Sequence, residues 1–311
     1  EARGVMDPSR PVTHYLPELE TTAWRGATLQ HVLDMTTGVR FDESYTDPQS
    51  DVGQIDVASG WKPIPPEAGS EARWPGHVWE QIIGLTDLVR PHGEAFEYRS
   101  IETDVLAFAM ERATGRRLAE LVSQELWQKL GVDESACFTV DPAGYALADG
   151  GFNATLRDYG RFGQFILKNG VLPNGTSPLP TNWVKDATTW FAPSAIPGFA
   201  DNGQYGYLWW FYPAWDDGIN NPSPLMTKTG PVPLQNTTGA SAVQLTNRTS
   251  DWTFSGYGIY GQLLSINQLE KVVVVQFSTW DLADPVDLVV SPEDPYNEEH
   301  SFVNAVIDAL H

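Results

Sequence analysis

Ser59 and Lys62 have the spacing of a serine nucleophile and an activating lysine on one turn of a helix. A lysine on the same helical face as a serine can activate its hydroxyl for attack on amides and esters. Gly60 and Pro63 oppose a helix here, because glycine is too flexible and proline lacks the backbone donor. We therefore do not expect this Ser-x-x-Lys sequence to be catalytic.

Tyr98 is a second residue that could do chemistry, and it lies in Phe96-Glu-Tyr-Arg-Ser100, at the start of a strongly helical run. A phenol held beside an ammonium group has a lowered pKa and can relay protons between a nucleophile and a leaving nitrogen. An isolated tyrosine is more often a half-buried packing residue. The segment alone leaves both interpretations open.

Histidine and cysteine chemistry has little support in this sequence. The six histidines are scattered without metal-ligand spacing, and none belongs to a Gly-x-Ser-x-Gly elbow arrangement. Cys137 is the only cysteine, which excludes an internal disulfide and a cysteine-based metal cluster. We expect neither a metal nor a cofactor.

Composition narrows the class of protein and its partners. A hydrophobic content of 41% in 311 residues is enough for a large core in one or two domains. The net charge of −21 repels nucleic acids. No run approaches the roughly 18 to 20 apolar residues of a membrane helix. The sequence does not decide whether the protein is cytoplasmic or is periplasmic or secreted.

Periodicity predicts the helices that must position the candidate residues. Residues 28 to 35 have helical spacing that stops near Gly38, and residues 103 to 129 predict two helices broken at Gly115. Thr155-Leu-Arg-Asp158 resembles a capping box for a helix that ends at Gly170. A last helix is predicted over about residues 298 to 310.

β-branched and apolar residues predict a hairpin near the end of the chain. Its arms are Gly256 to Ile266 and Lys271 to Ser278, and the polar residues 267–270 form the turn. Residues 202 to 253 are first aromatic and then rich in Pro, Asn, Thr and Gly, which predicts a long surface segment. Strands at the end and helices in the middle indicate an α+β fold.

Six stretches carry a family resemblance: Val12 to Leu19, Leu29 to Met35, Tyr45 to Pro48, Phe96 to Leu106, Ala148 to Gly151 and Gly256 to Gln262. Together they resemble the serine β-lactamase-like superfamily, the penicillin-recognising fold, and within it the 6-aminohexanoate-dimer (nylon-oligomer) hydrolases and related esterases. The resemblance implies an antiparallel sheet flanked by helices, plus a mainly helical region. We assign residues 1-20 and 203-311 to the sheet domain and residues 21-202 to the helical domain.

The resemblance also implies an activity, a serine hydrolase that opens linear amides or short esters through an acyl-enzyme. Tyr98 then matches the catalytic tyrosine, and Ile259 matches the residue whose backbone N–H binds the oxyanion. The positions that match the substrate pocket are Tyr45, Asp56, Asp149, Trp210 and Tyr260. For Asp56 and Asp149, a role in capping a turn is an equal alternative to substrate binding. For Trp210, the equal alternative is plain packing in the core.

Two departures from the family pattern concern substrate choice. Lys228-Thr-Gly230 spells the β-lactamase box, but it lies in the Pro- and Asn-rich segment, and Gly256-Tyr-Gly258 occupies the strand position. Without that lysine we do not expect β-lactamase activity. Asp149 stands where an active relative has Asn, so with Asp56 it predicts a preference for substrates that carry a cationic amine.

The catalytic Ser-x-x-Lys belongs on a helix upstream of the tyrosine, and no credible one precedes Tyr98. Residues 1–8 have the pattern of the last turn of a helix. We therefore expect that an N-terminal segment with Ser-x-x-Lys is missing and that this chain alone is inactive. The alternative is a non-catalytic β-lactamase-like binding protein. The expected partner is a small-molecule amide or ester, and a homodimer is left open.

Overall fold

The computed structural model describes residues 4–66, 73–188, 204–211, 225–227, 230–232 and 253–283, and parts of 299–310. Its contacts divide the chain into two compact units, residues 1–155 and 156–311. Each unit contains helices and antiparallel strand pairs, so the predicted α+β class is confirmed. The assignment of residues 1-20 to the same domain as 203-311 stays a prediction.

The first unit is mainly helical. Its described helices are α1 (Val12–Tyr15), α2 (Leu29–Leu33), α3 (Asp51–Ala58), α4 (Val78–Gly84), α5 (Ile101–Thr114) and α6 (Leu118–Glu125), with 3-10 turns at Pro17–Thr21 and Trp127–Lys129. A short antiparallel pair joins β1 (Cys137–Phe138) to β2 (Phe152–Asn153). Of the helix end predicted for residues 1–8, residues 1–3 lie outside the described part, Gly4 has a left-handed φ of 68°, and residues 5–8 are not helical.

Local sequence signals set the ends of these helices. The Thr28 side chain accepts the backbone N–H of His31, and the His31 ring accepts the backbone N–H of Thr28, so α2 begins with a capping box. Helix α5 ends at Gly115, whose φ of 66° is left-handed. The predicted helix near residue 28 and the predicted break at Gly115 are both confirmed.

Helix α5 lies at the centre of the first unit. Ile101, Val105 and Ala109 recur at intervals of four and are fully buried, which is the inward face of a helix. Trp24 is also fully buried, and its indole N–H donates to the carbonyl of Ile82 at 3.1 Å. The segment immediately before α5 is therefore attached to a rigid element.

The second unit contains α7 (Leu156–Leu167), α8 (Trp183–Ala187) and a five-stranded antiparallel sheet of order β3-β4-β7-β8-β9. Its strands are β3 (Gln204–Gly206), β4 (Trp209–Phe211), β7 (Thr253–Gly258), β8 (Gln262–Asn267) and β9 (Val272–Gln276). A separate antiparallel pair is formed by β5 (Leu225–Thr227) and β6 (Gly230–Val232). Residues 202–203, 212–224, 228–229 and 233–252 of the predicted surface segment lie outside the described part.

The predicted terminal hairpin needs one correction. Strands β8 and β9 do form a hairpin, with Asn267 paired to Val272. Its predicted first arm, however, is two strands, because β7 turns back into β8 through Ile259-Tyr260-Gly261. Tyr260 and Gly261 have φ values of 61° and 81°, and this left-handed backbone closes the extra turn.

Helix α7 packs closely on this sheet. Gly163 lies against Val273 so tightly that an added Cβ would stand 2.4 Å from a Val273 methyl. The described residues near the C-terminus are helical at 299, 302–303 and 305–307, and Val303 and Ile307 join the sheet core, in agreement with the predicted last helix. Among the described residues, no helix has the length and apolar character to cross a membrane.

Candidate active site

The Ser59–Lys62 sequence does not form a nucleophile pair. Ser59 is the residue after α3, it is 4% exposed, and its hydroxyl donates to the carbonyl of Asp56 at 3.0 Å. Gly60 has a φ of 79°, so the helix stops there. The Lys62 ammonium instead binds the Asp56 carboxylate at 2.6 Å. The prediction that this match is not on a helix is confirmed.

Tyr98 lies in the irregular segment that leads into α5, and its side chain is half-buried. The next residue, Arg99, is fully buried, and its guanidinium donates both to the backbone carbonyl of Glu97 at 2.9 Å and to the Glu97 carboxylate at 2.5 Å. The two neighbours of Tyr98, Glu97 and Arg99, are thereby hydrogen-bonded to each other. This arrangement limits the backbone freedom of Tyr98.

Glu102 extends this buried charge network into α5. Its carboxyl is fully buried, 3.7 Å from the Arg99 guanidinium, and accepts the Thr37 hydroxyl at 2.5 Å. Burial raises the pKa of Glu102 to about 8, although Arg99 and Thr37 act in the opposite direction. Glu102 therefore largely keeps its proton at neutral pH.

Glu43 links Tyr45 to the beginning of α5. One carboxylate oxygen accepts the Tyr45 hydroxyl at 2.7 Å. The other accepts the Ser100 backbone N–H at 3.0 Å and the Ser100 hydroxyl at 3.3 Å. Burial raises the pKa of Glu43 to about 7 against these hydrogen bonds, and the charge of Asp149 adds to the increase.

Asp104 and Asp149 are two further buried carboxyls. Asp104, on α5, accepts the backbone N–H of Ala148 at 2.8 Å and so holds the loop that carries Asp149. One oxygen of each carboxyl is buried without a hydrogen-bond partner among the described residues. Burial raises the pKa of Asp104, and the charge of Asp149 raises it further. Burial also raises the pKa of Asp149, to about 6, and the charge of Asp56 adds to this increase.

These interactions bring several of the predicted pocket residues together within the first unit. Asp149 interacts electrostatically with both Asp56 and Glu43, and Glu43 binds Tyr45. We call Glu43, Asp56, Asp104 and Asp149 the carboxylate cluster. No group of His, Cys, Asp and Glu in the described ranges has the arrangement of a metal site.

Two predicted residues of the second unit, Ile259 and Tyr260, lie in the β7–β8 turn. The backbone of Tyr260 is engaged on both sides, since its N–H donates to Ala283 and its carbonyl accepts from Trp280. The side chain of Tyr260 is 38% exposed. Ile259 is the first residue of this turn, between Gly258 of β7 and Tyr260, and its predicted role as the oxyanion donor stays a prediction.

Trp210 is in β4, paired with Ser255 of the strand that leads into this turn. Its ring packs edge-on against Tyr205, with the ring centroids 4.9 Å apart. This contact agrees with a packing role, and its predicted role as a pocket wall remains a prediction. Lys228 and Thr229 lie outside the described residues, and Gly230 begins β6.

The family of this chain follows from comparison with known proteins. A family model described as Beta-lactamase matches residues 1–289. The chain belongs to the beta-lactamase family. It is 32% identical over 283 residues to a 6-aminohexanoate-dimer hydrolase of Paenarthrobacter ureafaciens, and these residues cover 89% of this chain and 61% of that relative. The predicted resemblance is confirmed.

Solved structures give the same fold. A Bacillus anthracis protein provisionally named a 6-aminohexanoate-dimer hydrolase has a TM-score of 0.73 at 26% identity, over 99% of this chain and 68% of its own. A penicillin-binding protein of Bacillus halodurans has a TM-score of 0.58 at 17% identity, over 100% of this chain and 80% of its own. The second likeness concerns the fold alone.

Within this beta-lactamase-family chain, sequence reasoning missed two members of the carboxylate cluster, Glu43 and Asp104. Asp104 carries a usable signal, because it lies on the same face of α5 as the core residues Ile101 and Val105. A carboxyl on such a face needs a partner or a proton. Glu43 lies two residues before Tyr45 and carries no comparable signal, since its second partner, Ser100, is 57 residues away.

Proposed function

We propose that the protein is a serine hydrolase of linear amides or short esters, similar to 6-aminohexanoate-dimer hydrolase. The observation that carries this proposal is the 32% identity to that enzyme over 89% of the chain. The chain spans 61% of the length of that relative, so its activity and substrate are inferred by kinship.

The proposed mechanism begins with attack of a serine hydroxyl on the substrate carbonyl, assisted by a lysine. Tyr98 relays the proton to the leaving nitrogen or oxygen, and the Ile259 N–H donates to the oxyanion. Water then releases the acyl group. Because Ser59 and Lys62 are engaged elsewhere, we propose that the nucleophilic Ser-x-x-Lys comes from sequence outside these 311 residues.

The carboxylate cluster supports a substrate with a cationic amine. Asp56 and Asp149 repel each other electrostatically, and a bound ammonium would relieve this repulsion. Lys62 already binds Asp56 at 2.6 Å, with its own side chain 54% exposed. A substrate amine would therefore share Asp56 with Lys62 or displace it.

A second candidate function is a non-catalytic binding protein that keeps the β-lactamase fold. The observation that favours it is the geometry of Ser59 and Lys62, the one Ser-x-x-Lys match in the 311 residues. In this case the cluster would bind a cationic small molecule without hydrolysing it.

The deciding experiment uses the full-length polypeptide from its source. A fluorophosphonate probe, which reacts with activated serines, is followed by intact-mass measurement, and hydrolysis is assayed with 6-aminohexanoate dimer, p-nitrophenyl butyrate and the β-lactam nitrocefin. The hydrolase proposal predicts one label and turnover of the dimer or the ester, with little turnover of nitrocefin. It also predicts an inactive 311-residue chain. Absence of both label and turnover would favour the binding protein.

A further inference from the structure

One side chain, Glu43, joins two separate segments of the candidate site. Its two oxygens bind the hydroxyl of Tyr45 on one side and the N–H and hydroxyl of Ser100 on the other. Tyr45 belongs to the loop before α3, whereas Ser100 follows Tyr98 by two residues. The carboxylate thus sits between a predicted substrate-binding tyrosine and the segment of the predicted catalytic tyrosine.

Glu43 also does for α5 what a capping side chain ordinarily does. Ser100 precedes the first residue of α5, but its own side chain makes no capping hydrogen bond. The Glu43 carboxylate instead accepts the Ser100 N–H, and a negative charge near a helix N-terminus is favourable. Glu43 therefore helps to fix where α5, and the residues just before it, begin.

The loop that carries Tyr45 is also held by hydrogen bonds that do not involve Glu43. The fold of this loop therefore does not depend on Glu43 alone. The Ser50 hydroxyl, at the start of α3, donates to the carbonyl of Ser44 at 2.7 Å. The Ser44 N–H donates to the Asp42 carboxylate at 3.0 Å. Loss of the Glu43 carboxylate would leave these bonds in place and remove its hydrogen bonds to the Tyr45 hydroxyl and to Ser100.

We propose that Glu43 is a positioning residue of the candidate active site, which holds the Tyr45 hydroxyl in a fixed place relative to the Tyr98–Ser100 segment. The kinetic part of this proposal rests on the proposed hydrolase function. The hydrogen-bonded link itself does not, and it can be tested without any substrate.

The groups that face Glu43 determine how the link responds to pH. They are the Tyr45 phenol, the Asp149 carboxyl, and, further away, the charges of Arg99 and Glu102. Ionised Glu43 accepts charge-assisted hydrogen bonds, which are stronger than neutral ones. Because burial raises the pKa of Glu43 to about 7, mild acidification is expected to weaken the link.

The kinetic test is a double-mutant cycle in the full-length polypeptide with Glu43→Ala, Tyr45→Phe and the double variant. If Glu43 acts through Tyr45, each single variant lowers kcat/KM about tenfold and the double variant loses little more, because both remove the same interaction. Glu120→Gln, on the exposed side of α6, is the control and should match wild type. A roughly hundredfold loss in the double variant would overturn the proposal, because two independent effects multiply.

Amide hydrogen exchange of the segment 96–106 gives a second, substrate-free readout. In Glu43→Ala, exchange at Ser100 should become at least about tenfold faster, whereas exchange in α6 should not change. If Glu43→Ala does not fold, Glu43→Gln replaces it, with a smaller increase expected because its amide oxygen can still accept one N–H. Unchanged exchange at Ser100 would overturn the link. Faster exchange in a protein that hydrolyses nothing would support the link and refute the hydrolase function.

Discussion

The protonation state of the Asp149 carboxyl depends on its surroundings more than on its residue type. Burial raises its pKa to about 6, and the nearby charge of Asp56 adds to the increase. A carboxyl with this pKa changes from mostly neutral to mostly ionised between pH 5 and pH 7. Its attraction for a substrate ammonium must change over the same range.

We therefore predict a pH-dependent preference for cationic substrates. The ratio of kcat/KM for 6-aminohexanoate dimer to that for its N-acetylated form should rise about tenfold from pH 5 to pH 7, because Asp149 gains its charge while the substrate amine stays protonated. Asp149→Asn should flatten this rise, and the exposed Asp87→Asn should not. A ratio that stays constant with pH in wild type would contradict amine recognition by Asp149.

A second prediction concerns Tyr98. Tyr98→Phe should lower kcat by roughly 100- to 1,000-fold with little change in KM, because it removes a proton relay and keeps the ring. Tyr145→Phe is the matched control; this ring packs against Phe108 and Arg117 in the same unit and has no predicted catalytic role. Steady-state kinetics of both variants decides the matter. If Tyr98→Phe were as active as wild type, the proton-relay role would be contradicted and Tyr98 would be a packing residue.

The residues of the site differ in how far sequence could identify them. The family resemblance marked Tyr45, Asp56 and Asp149, and the structure links all three to one carboxylate cluster. It gave no indication of Glu43, because an interaction between residues 57 positions apart leaves no local pattern. Pairings of this kind depend on the fold, and the sequence alone does not fix them.

At the scale of elements, local signals were reliable where one residue determines an end. Gly115 ends α5 because glycine adopts the left-handed conformation without a steric penalty, and this was readable from the sequence. The β7–β8 turn was missed because a non-glycine residue, Tyr260, also takes a positive φ. The backbone of Tyr260 is held by hydrogen bonds to the segment 280–283, a long-range cause that a local pattern does not contain.

A matched pair of glycine substitutions tests this account of the helices. Gly115→Ala should lower the free energy of unfolding by about 1 kcal/mol, because alanine is strained at a φ of 66° although nothing lies within 4 Å of the added Cβ. Gly160→Ala, inside α7 and also without a contact within 4 Å, should raise it by about 0.5 to 1 kcal/mol. Urea unfolding measures both. The same sign for the two would contradict the conformational explanation.

At the scale of the whole molecule, the dominant feature is negative charge that is partly buried. The chain has a net charge of −21. Burial raises the pKa of Glu43, Glu102, Asp104, Asp149 and Glu299 in the folded protein. These five carboxyls therefore bind more protons in the folded state than in the unfolded chain, whereas the lowered pKa of His31 acts in the opposite direction. By linkage, the contribution of these carboxyls to folding stability is lost as the pH rises through their raised pKa values.

The last prediction assigns part of this pH dependence to one residue. The pKa of Glu102 rises from 4.5 to about 8 on folding, so its contribution to stability is fully present below about pH 4.5 and is lost as the pH rises toward 8. Glu102→Gln cannot ionise and keeps an oxygen for the Thr37 hydroxyl. The variant should therefore lose less stability than wild type between pH 5 and pH 8, by an amount on the order of 3 kcal/mol.

Urea unfolding at several pH values measures this difference, and the exposed Glu120→Gln serves as the control that leaves the pH dependence unchanged. The opposite sign has a clear physical meaning. If wild type lost less stability than Glu102→Gln on going to pH 8, the ionised form of Glu102 would be the favoured one. The Arg99 guanidinium, 3.7 Å away, would then outweigh the cost of burying the charge.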